Sequence, residues 1–186
     1  MDEYCKENTF FVLYGSKFGG CEMKNIEVAC SEHFNRKPAP EIDYLIEDNW
    51  TKFLSEIDKL YDAEKFRIHS VKTENGRVLV EIGLTGYKDY IGTNLNEKLG
   101  VFEAYGMKAH GSKQACLSDC LGVGAMVITS DDHVMFVTRS HEVAEGRGLH
   151  DFPGGHAEPS VSQATGRPNI FRYFFDNKNC AKNADV

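Results

Sequence analysis

The chain has 186 residues, 41% of them apolar and 26% charged, with 28 acidic side chains against 21 lysines and arginines and a net charge of −7. That length suits one generous domain or two small ones with a real core, and the ordinary composition excludes a disordered or collagen-like chain. The acidic balance disfavours general nucleic-acid binding, and no apolar run approaches the ~18 residues of a membrane span.

The first residues, Met1-Asp2-Glu3-Tyr4-Cys5-Lys6-Glu7, are acidic and polar. They match neither a secretory signal nor an arginine-rich transit peptide, so an intracellular, cytoplasmic protein is expected. The cysteines are Cys5, Cys21, Cys30, Cys116, Cys120 and Cys180, with no C-x-x-C pair, so reduced thiols are expected and a zinc site is not.

Thr9-Phe10-Phe11-Val12-Leu13-Tyr14 is a β-prone run, and Ile26, Val28 and Cys30 alternate with polar residues as in a half-buried strand. After the break at Arg36-Lys37-Pro38-Ala39-Pro40, apolar residues from Ile42 to Tyr61 fall at three-and-four spacing, which predicts a long amphipathic helix. Two β-prone runs, Phe66–Val71 and Arg77–Ile82, flank Asn75-Gly76, a strong hairpin signal. The glycine-punctuated segment Gly83–Asn94 fits neither period and reads as an ordinary or a binding loop. A helix is predicted over Asn96–Tyr105, and a second hairpin over Val123–Thr129 and His133–Arg139. Ser160–Val186 has no sustained period, and a composition shift near Lys108–Ser118 marks a candidate boundary.

Candidate chemistry gathers between Arg139 and Pro159. A strand ends at Arg139, a loop leads to Asp151, and Pro153-Gly154-Gly155 precedes His156 and Glu158. An arginine can fork onto phosphate, and turn amides can approach an anion closely. Carboxylates are hard ligands for magnesium. A basic group, turn amides and carboxylates together suit a diphosphate. Each residue also has a plain reading. Pro-Gly-Gly is an ordinary turn, Arg139 a solvated strand end and His156 a surface histidine, with Glu142 and Glu145 in a solvated loop.

Gly154-Gly155-His156-Ala157-Glu158-Pro159, after a hairpin ending in Arg139-Ser140, resembles the opening of a Nudix box. Lys65–Ser70, Gly83–Asn94, Leu121–Ala125 and Val143–Glu145 resemble motifs of one Nudix subfamily, the uridine diphosphate glucose pyrophosphatases. The resemblance runs from about Tyr61 to Pro159, with a weaker echo at Arg36-Lys37-Pro38. It implies an α+β chain: an N-terminal α+β domain over residues 1–115, then the front half of a Nudix α/β/α sandwich over 116–159. Residues 160–186 are left as a divergent tail, expected to be poorly ordered. It also implies a magnesium-dependent hydrolase that splits UDP-glucose or UDP-galactose into UMP and hexose 1-phosphate. Carried over by position, the substrate contacts fall on Tyr61, Tyr87, Arg139, Ala144, Asp151, His156 and Glu158. The implied partner is a UDP-sugar, with no nucleic acid and no membrane.

The rest of the box departs from the pattern G-x5-E-x7-R-E-U-x-E-E-x-G-U. Counted from Gly155, the first Glu position is Val161, the Arg-Glu position Asn169-Ile170, the Glu-Glu position Tyr173-Phe174 and the last glycine Asp176. Pro159–Val186 contains no glutamate, and Gly166-Arg167-Pro168 would break a helix there. No catalytic residue and no metal ligand is therefore assigned to this chain. An inactive or impaired, truncated form is expected. The alternative is a non-catalytic fragment that binds nucleotide-sugars or a protein partner.

Overall fold

The computed structural model describes residues 22–159. The expected strand at Thr9–Tyr14 and the expected disordered tail lie outside the described residues. A 3-10 turn at Met23–Asn25 leads into β1 (Ile26–Cys30), and a second turn at Glu32–Phe34 precedes α1 (Tyr44–Glu56). β2 (Glu64–Glu74) and β3 (Arg77–Gly86) form a hairpin, followed by α2 (Tyr87–Thr93) and α3 (Leu99–His110). Four short strands complete the chain: β4 (Gly122–Gly124), β5 (Val137–Thr138), β6 (His150–Asp151) and β7 (Gly154–His156). This is an α+β fold. Among the described residues no helix is long and apolar enough to cross a membrane.

The main sheet has the order β1-β3-β2, with β1 parallel and β2 antiparallel to β3. The hairpin turns at Asn75 and Gly76, with φ of 51° and 76°. Those two positive values are the backbone that Asn-Gly favours. α1 buries Leu45, Ile46 and Trp50, one face at helical spacing. Leu45 and Ile46 meet Phe102 of α3 and Leu117 in the core, with Ile42 and Leu99 packed alongside. α1 stops at Glu56 rather than near Tyr61, although Ile57 is buried. The apolar spacing runs on into a turn, and periodicity without a glycine or proline does not mark a helix end. α3 runs to His110, where Gly111 adopts φ of 72° and its N–H bonds to the Met107 carbonyl. That is a common glycine stop, five residues beyond the predicted end.

Two further expectations are corrected. Gly83–Asn94 is not a loop: its first residues complete β3 and its last form α2. The hydrogen-bonding of Gly86 and Lys88 N–H groups to Asp89 and Asp62 side chains starts the helix despite the glycines. The second hairpin closes at Thr129–His133, with a bridge between Ile128 and Val134. Its arms are not two long paired strands, because β4 pairs with β7 and β5 with β6. Met126, Ile128 and Phe136 there are 63%, 62% and 57% exposed.

One buried side chain ties these parts together. Arg67 is 1% exposed. Its Nε donates to the Leu117 carbonyl, Nη1 to the Phe34 carbonyl and Nη2 to the Gln114 carbonyl, at 3.0, 2.8 and 2.7 Å. Asp119 Oδ2 stands 3.7 Å from Nη2. Burial lowers the Arg67 pKa, opposed by Asp119, yet a guanidinium stays charged in a protein. The same strand edge carries the chain into the second region. Ile68 N–H bonds to the Asp119 carbonyl, Leu121 N–H to Phe66, and Phe66 N–H to Ala157.

Candidate functional site

The edge of β2 sets the site. Lys65 pairs in register with Thr85 of β3, one residue before Gly86 and two before Tyr87. The 119–121 and 157 backbones lie along the same edge, so Glu158 arrives beside Lys65 across 93 residues of sequence and forms an ion pair with its ammonium. The Lys65 ammonium also sits 5.3 Å from the centre of the Tyr87 ring, within range of a cation–π contact.

Above this pair lie three rings. Tyr87 and Tyr90, three residues apart on α2, are near-parallel with centres 6.0 Å apart. The His156 ring tilts against both, 5.9 Å from Tyr87 and 5.0 Å from Tyr90. Tyr90 Oη donates to Glu145 Oε2 at 2.8 Å. Arg139 Nη1 donates to Asp151 Oδ2 at 2.9 Å, and its Nε to the Glu145 carbonyl at 3.1 Å.

Burial shapes the acid–base state. It raises the Tyr90 hydroxyl pKa, reinforced by Glu145, and raises that of Tyr87 in the same way. It pushes the Cys120 thiol up to about 11. Both tyrosines and Cys120 are therefore protonated at neutral pH and serve as donors or packing surfaces. Burial lowers the His156 pKa, with Glu145 opposing and Lys65 and Arg139 adding to the shift.

That shift has a consequence for stability. Unfolded, the imidazole titrates near its ordinary pKa of about 6.5; folded, it holds its proton less well. As pH falls below that value the unfolded chain takes up a proton first, so stability present above it is lost on acidification. His69, also lowered by burial, acts in the same direction. Urea midpoints measured from about pH 7 to about pH 5 should fall for the wild type and fall less steeply for His156→Asn. Parallel slopes would show that His156 titrates alike in both states.

Of the residues expected to bind substrate, Tyr87, His156 and Glu158 meet directly or through Lys65. Arg139 and Asp151 pair with each other and join the group through Glu145 and Tyr90. Tyr61 is 65% exposed but close enough to influence the Tyr87 hydroxyl. Ala144 is half-buried beside Glu145 in the chain. His156 is not a free surface histidine, and Glu145 is not merely solvated, since both face Tyr90. Glu142 does lie at the surface, 3.6 Å from Lys59. Lys65, Tyr90 and Glu145 join this cluster, although no sequence motif marks them individually. The one local signal was the three-residue spacing of Tyr87 and Tyr90, which places them on one helix face.

The same contacts test the site against magnesium. Glu158 is held by Lys65, Asp151 by Arg139, and Glu145 by Tyr90 and Arg139. Among the described residues no three histidine, cysteine, aspartate or glutamate side chains gather as a metal would require. These residues do not fit a magnesium centre.

No family model matches the chain. It is 38% identical over 154 residues to uridine diphosphate glucose pyrophosphatase NUDT22 of Mus musculus, covering 81% of this chain and 50% of that protein. It is 38% identical over 155 residues to the Homo sapiens protein of the same name, covering 81% and 51%. The chain is a relative of the Nudix uridine diphosphate glucose pyrophosphatases. It is also 28% identical over 172 residues to Nudix hydrolase 9 of Arabidopsis thaliana, covering 86% of this chain and 54% of that protein. The chain spans about half the length of the curated Nudix relatives it matches.

Proposed function

We propose that the protein handles UDP-hexoses, and that its described residues form the part of a UDP-sugar pyrophosphatase site that grips the nucleotide and diphosphate. The observation that carries this is the meeting of Tyr87, His156 and Glu158 around Lys65, linked through Tyr90 and Glu145 to Arg139 and Asp151. Tyr87 and Tyr61 line the uridine, Arg139 holds the diphosphate, and Ala144, Asp151, His156 and Glu158 close around phosphates and sugar. The reaction such a site would serve is attack of water on a phosphorus of the diphosphate. The P–O–P bond breaks to give UMP and hexose 1-phosphate, and the divalent cation that such a reaction uses would have to find its ligands outside the described residues.

In the 186-residue polypeptide the carboxylate cluster for that cation is not supplied by the described residues, and Pro159–Val186 holds no glutamate. The polypeptide should therefore bind UDP-glucose and release little UMP when supplied with magnesium. UMP formation followed by chromatography checks this. Turnover matching that of a curated relative would overturn the expectation of impairment, and absence of any UDP-glucose binding would overturn the site assignment.

A second reading is a partner-binding protein, favoured by the exposed Met126, Ile128 and Phe136. It predicts that Arg139→Ala and Glu158→Gln leave UDP-glucose binding unchanged, whereas the first reading predicts a loss of tenfold or more for Arg139→Ala, roughly the worth of a charge-assisted pair.

A further inference from the structure

We propose that Tyr90 and Glu145 form a positioning relay that sets the Arg139 guanidinium for the diphosphate; the proposal rests on the UDP-sugar reading of the site. Arg139 directly follows β5 and opens a closed loop, in which Arg139 N–H bonds to the Leu149 carbonyl and Gly148 N–H to the Arg139 carbonyl, at 2.9 and 3.1 Å. The side chain folds back over this loop. Its Nε donates to the Glu145 carbonyl at 3.1 Å, and a Cβ on Gly146 would stand only 3.0 Å from Nε. The backbone of residues 145 and 146 is thus the bed on which the guanidinium lies.

That bed needs an anchor. Two further links from its loop to the rest of the molecule, Lys59 to Glu142 and Arg147 to Glu56, are exposed ion pairs, and such pairs hold little. The Tyr90–Glu145 bond is half-buried, at 2.8 Å, and comes from α2. α2 is itself fixed, through the Lys88 N–H bond to Asp62 and through buried Ile91, Gly92 and Thr93. A tyrosine hydroxyl donating to a carboxylate is a charge-assisted bond, stronger than a neutral one. It therefore transmits the position of α2 to Glu145 and, through the Glu145 carbonyl, to Arg139.

The relay also decides which nitrogens are engaged. Nε is held by Glu145 and Nη1 by Asp151. Among the described residues Nη2 donates no hydrogen bond and stands 3.7 Å from Glu145 Oε1. It is the nitrogen most available to a phosphoryl oxygen. Because forked recognition of phosphate depends on the direction of each N–H, a loosened bed weakens phosphate binding without touching the nucleoside end.

The test is calorimetric titration of UDP and of uridine into the full chain as wild type, Arg139→Met, Tyr90→Phe, Glu145→Ala and Glu145→Gln. Tyr90→Phe keeps the ring against His156 and removes only the hydroxyl. It and Glu145→Ala should weaken UDP about tenfold, the effect of losing one charged hydrogen bond, and leave uridine unchanged. Glu145→Gln keeps an acceptor for Tyr90 and should recover most of the UDP affinity. If Arg139→Met binds UDP like the wild type, the diphosphate reading fails. If Arg139→Met weakens UDP while Tyr90→Phe and Glu145→Ala do not, the relay alone fails. Equal loss of UDP and uridine would make Tyr90 a structural residue and overturn the relay. The Arg139 Nε–H nuclear magnetic resonance signal gives a ligand-free reading: it should shift in Tyr90→Phe, and an unchanged signal overturns the proposal.

Discussion

Arg67→Met is expected to lower the melting temperature by about 10 °C or more, the equivalent of roughly 3–5 kcal/mol for breaking a buried charged network. The methionine fills part of the space but donates nothing. The carbonyls of Phe34, Gln114 and Leu117 lose a donor together, and Asp119 loses its cation. Burial already raises the Asp119 pKa, with Asn94 and Arg67 opposing, so its carboxyl would move further toward the neutral form. Domains of ordinary stability hold only about 5–15 kcal/mol in total, so much of the folded margin is at stake. Arg67→Lys should recover little, because one ammonium cannot span three carbonyls held by a planar fork. A thermal melt followed by circular dichroism decides it. A drop below about 3 °C for Arg67→Met would mean that water replaces the lost donors.

Gly83→Ala is expected to be nearly as damaging, at about 2–3 kcal/mol, through overpacking rather than lost bonds. A Cβ at position 83 would lie 2.3 Å from both the carbonyl carbon and oxygen of Phe34 and 2.5 Å from the Asn35 nitrogen. These are backbone atoms and cannot rotate aside. β3 must separate from the turn at Glu32–Phe34, which breaks the 2.7 Å bond from Leu84 N–H to Asn35 Oδ1. Urea denaturation should show the loss, and the Leu84 amide should exchange faster with solvent. A neutral result would show that the turn moves without cost. Arg67 and Gly83 both hold Phe34, so the double variant should lose less than the sum of the single losses.

Local signals carried much of the fold. The Asn75-Gly76 turn, the alternation of β1 and the buried face of α1 were all legible, because each depends on neighbours within a few residues. The ends of α1 and α3 were less so. An apolar stripe continues past the point where the chain leaves the helix, and Gly111 marked the true stop of α3 more clearly than the apolar residues before it. Gly83–Asn94 misled because its glycines serve different needs. Gly83 allows backbone contact, while Gly86 lies at the strand-to-helix junction. The paired strands expected over 123–139 misled because β4 and β5 find their partners further along, in β7 and β6.

By itself, the sequence determined the α+β character, the β2–β3 hairpin and the set of residues whose chemistry suits a diphosphate. It also determined the likeness to Nudix uridine diphosphate glucose pyrophosphatases, since these are read from residue types and short spacings. Only the tertiary structure decided which charges neutralise one another. Lys65 meets Glu158 across 93 residues, Tyr90 meets Glu145 across 55, and Arg67 reaches Gln114 and Leu117 across 47 and 50. Such pairs depend on strand register and on which edges lie side by side. A shift of one residue in β2 would turn Lys65 to the opposite face of the sheet and dismantle the site without altering a residue.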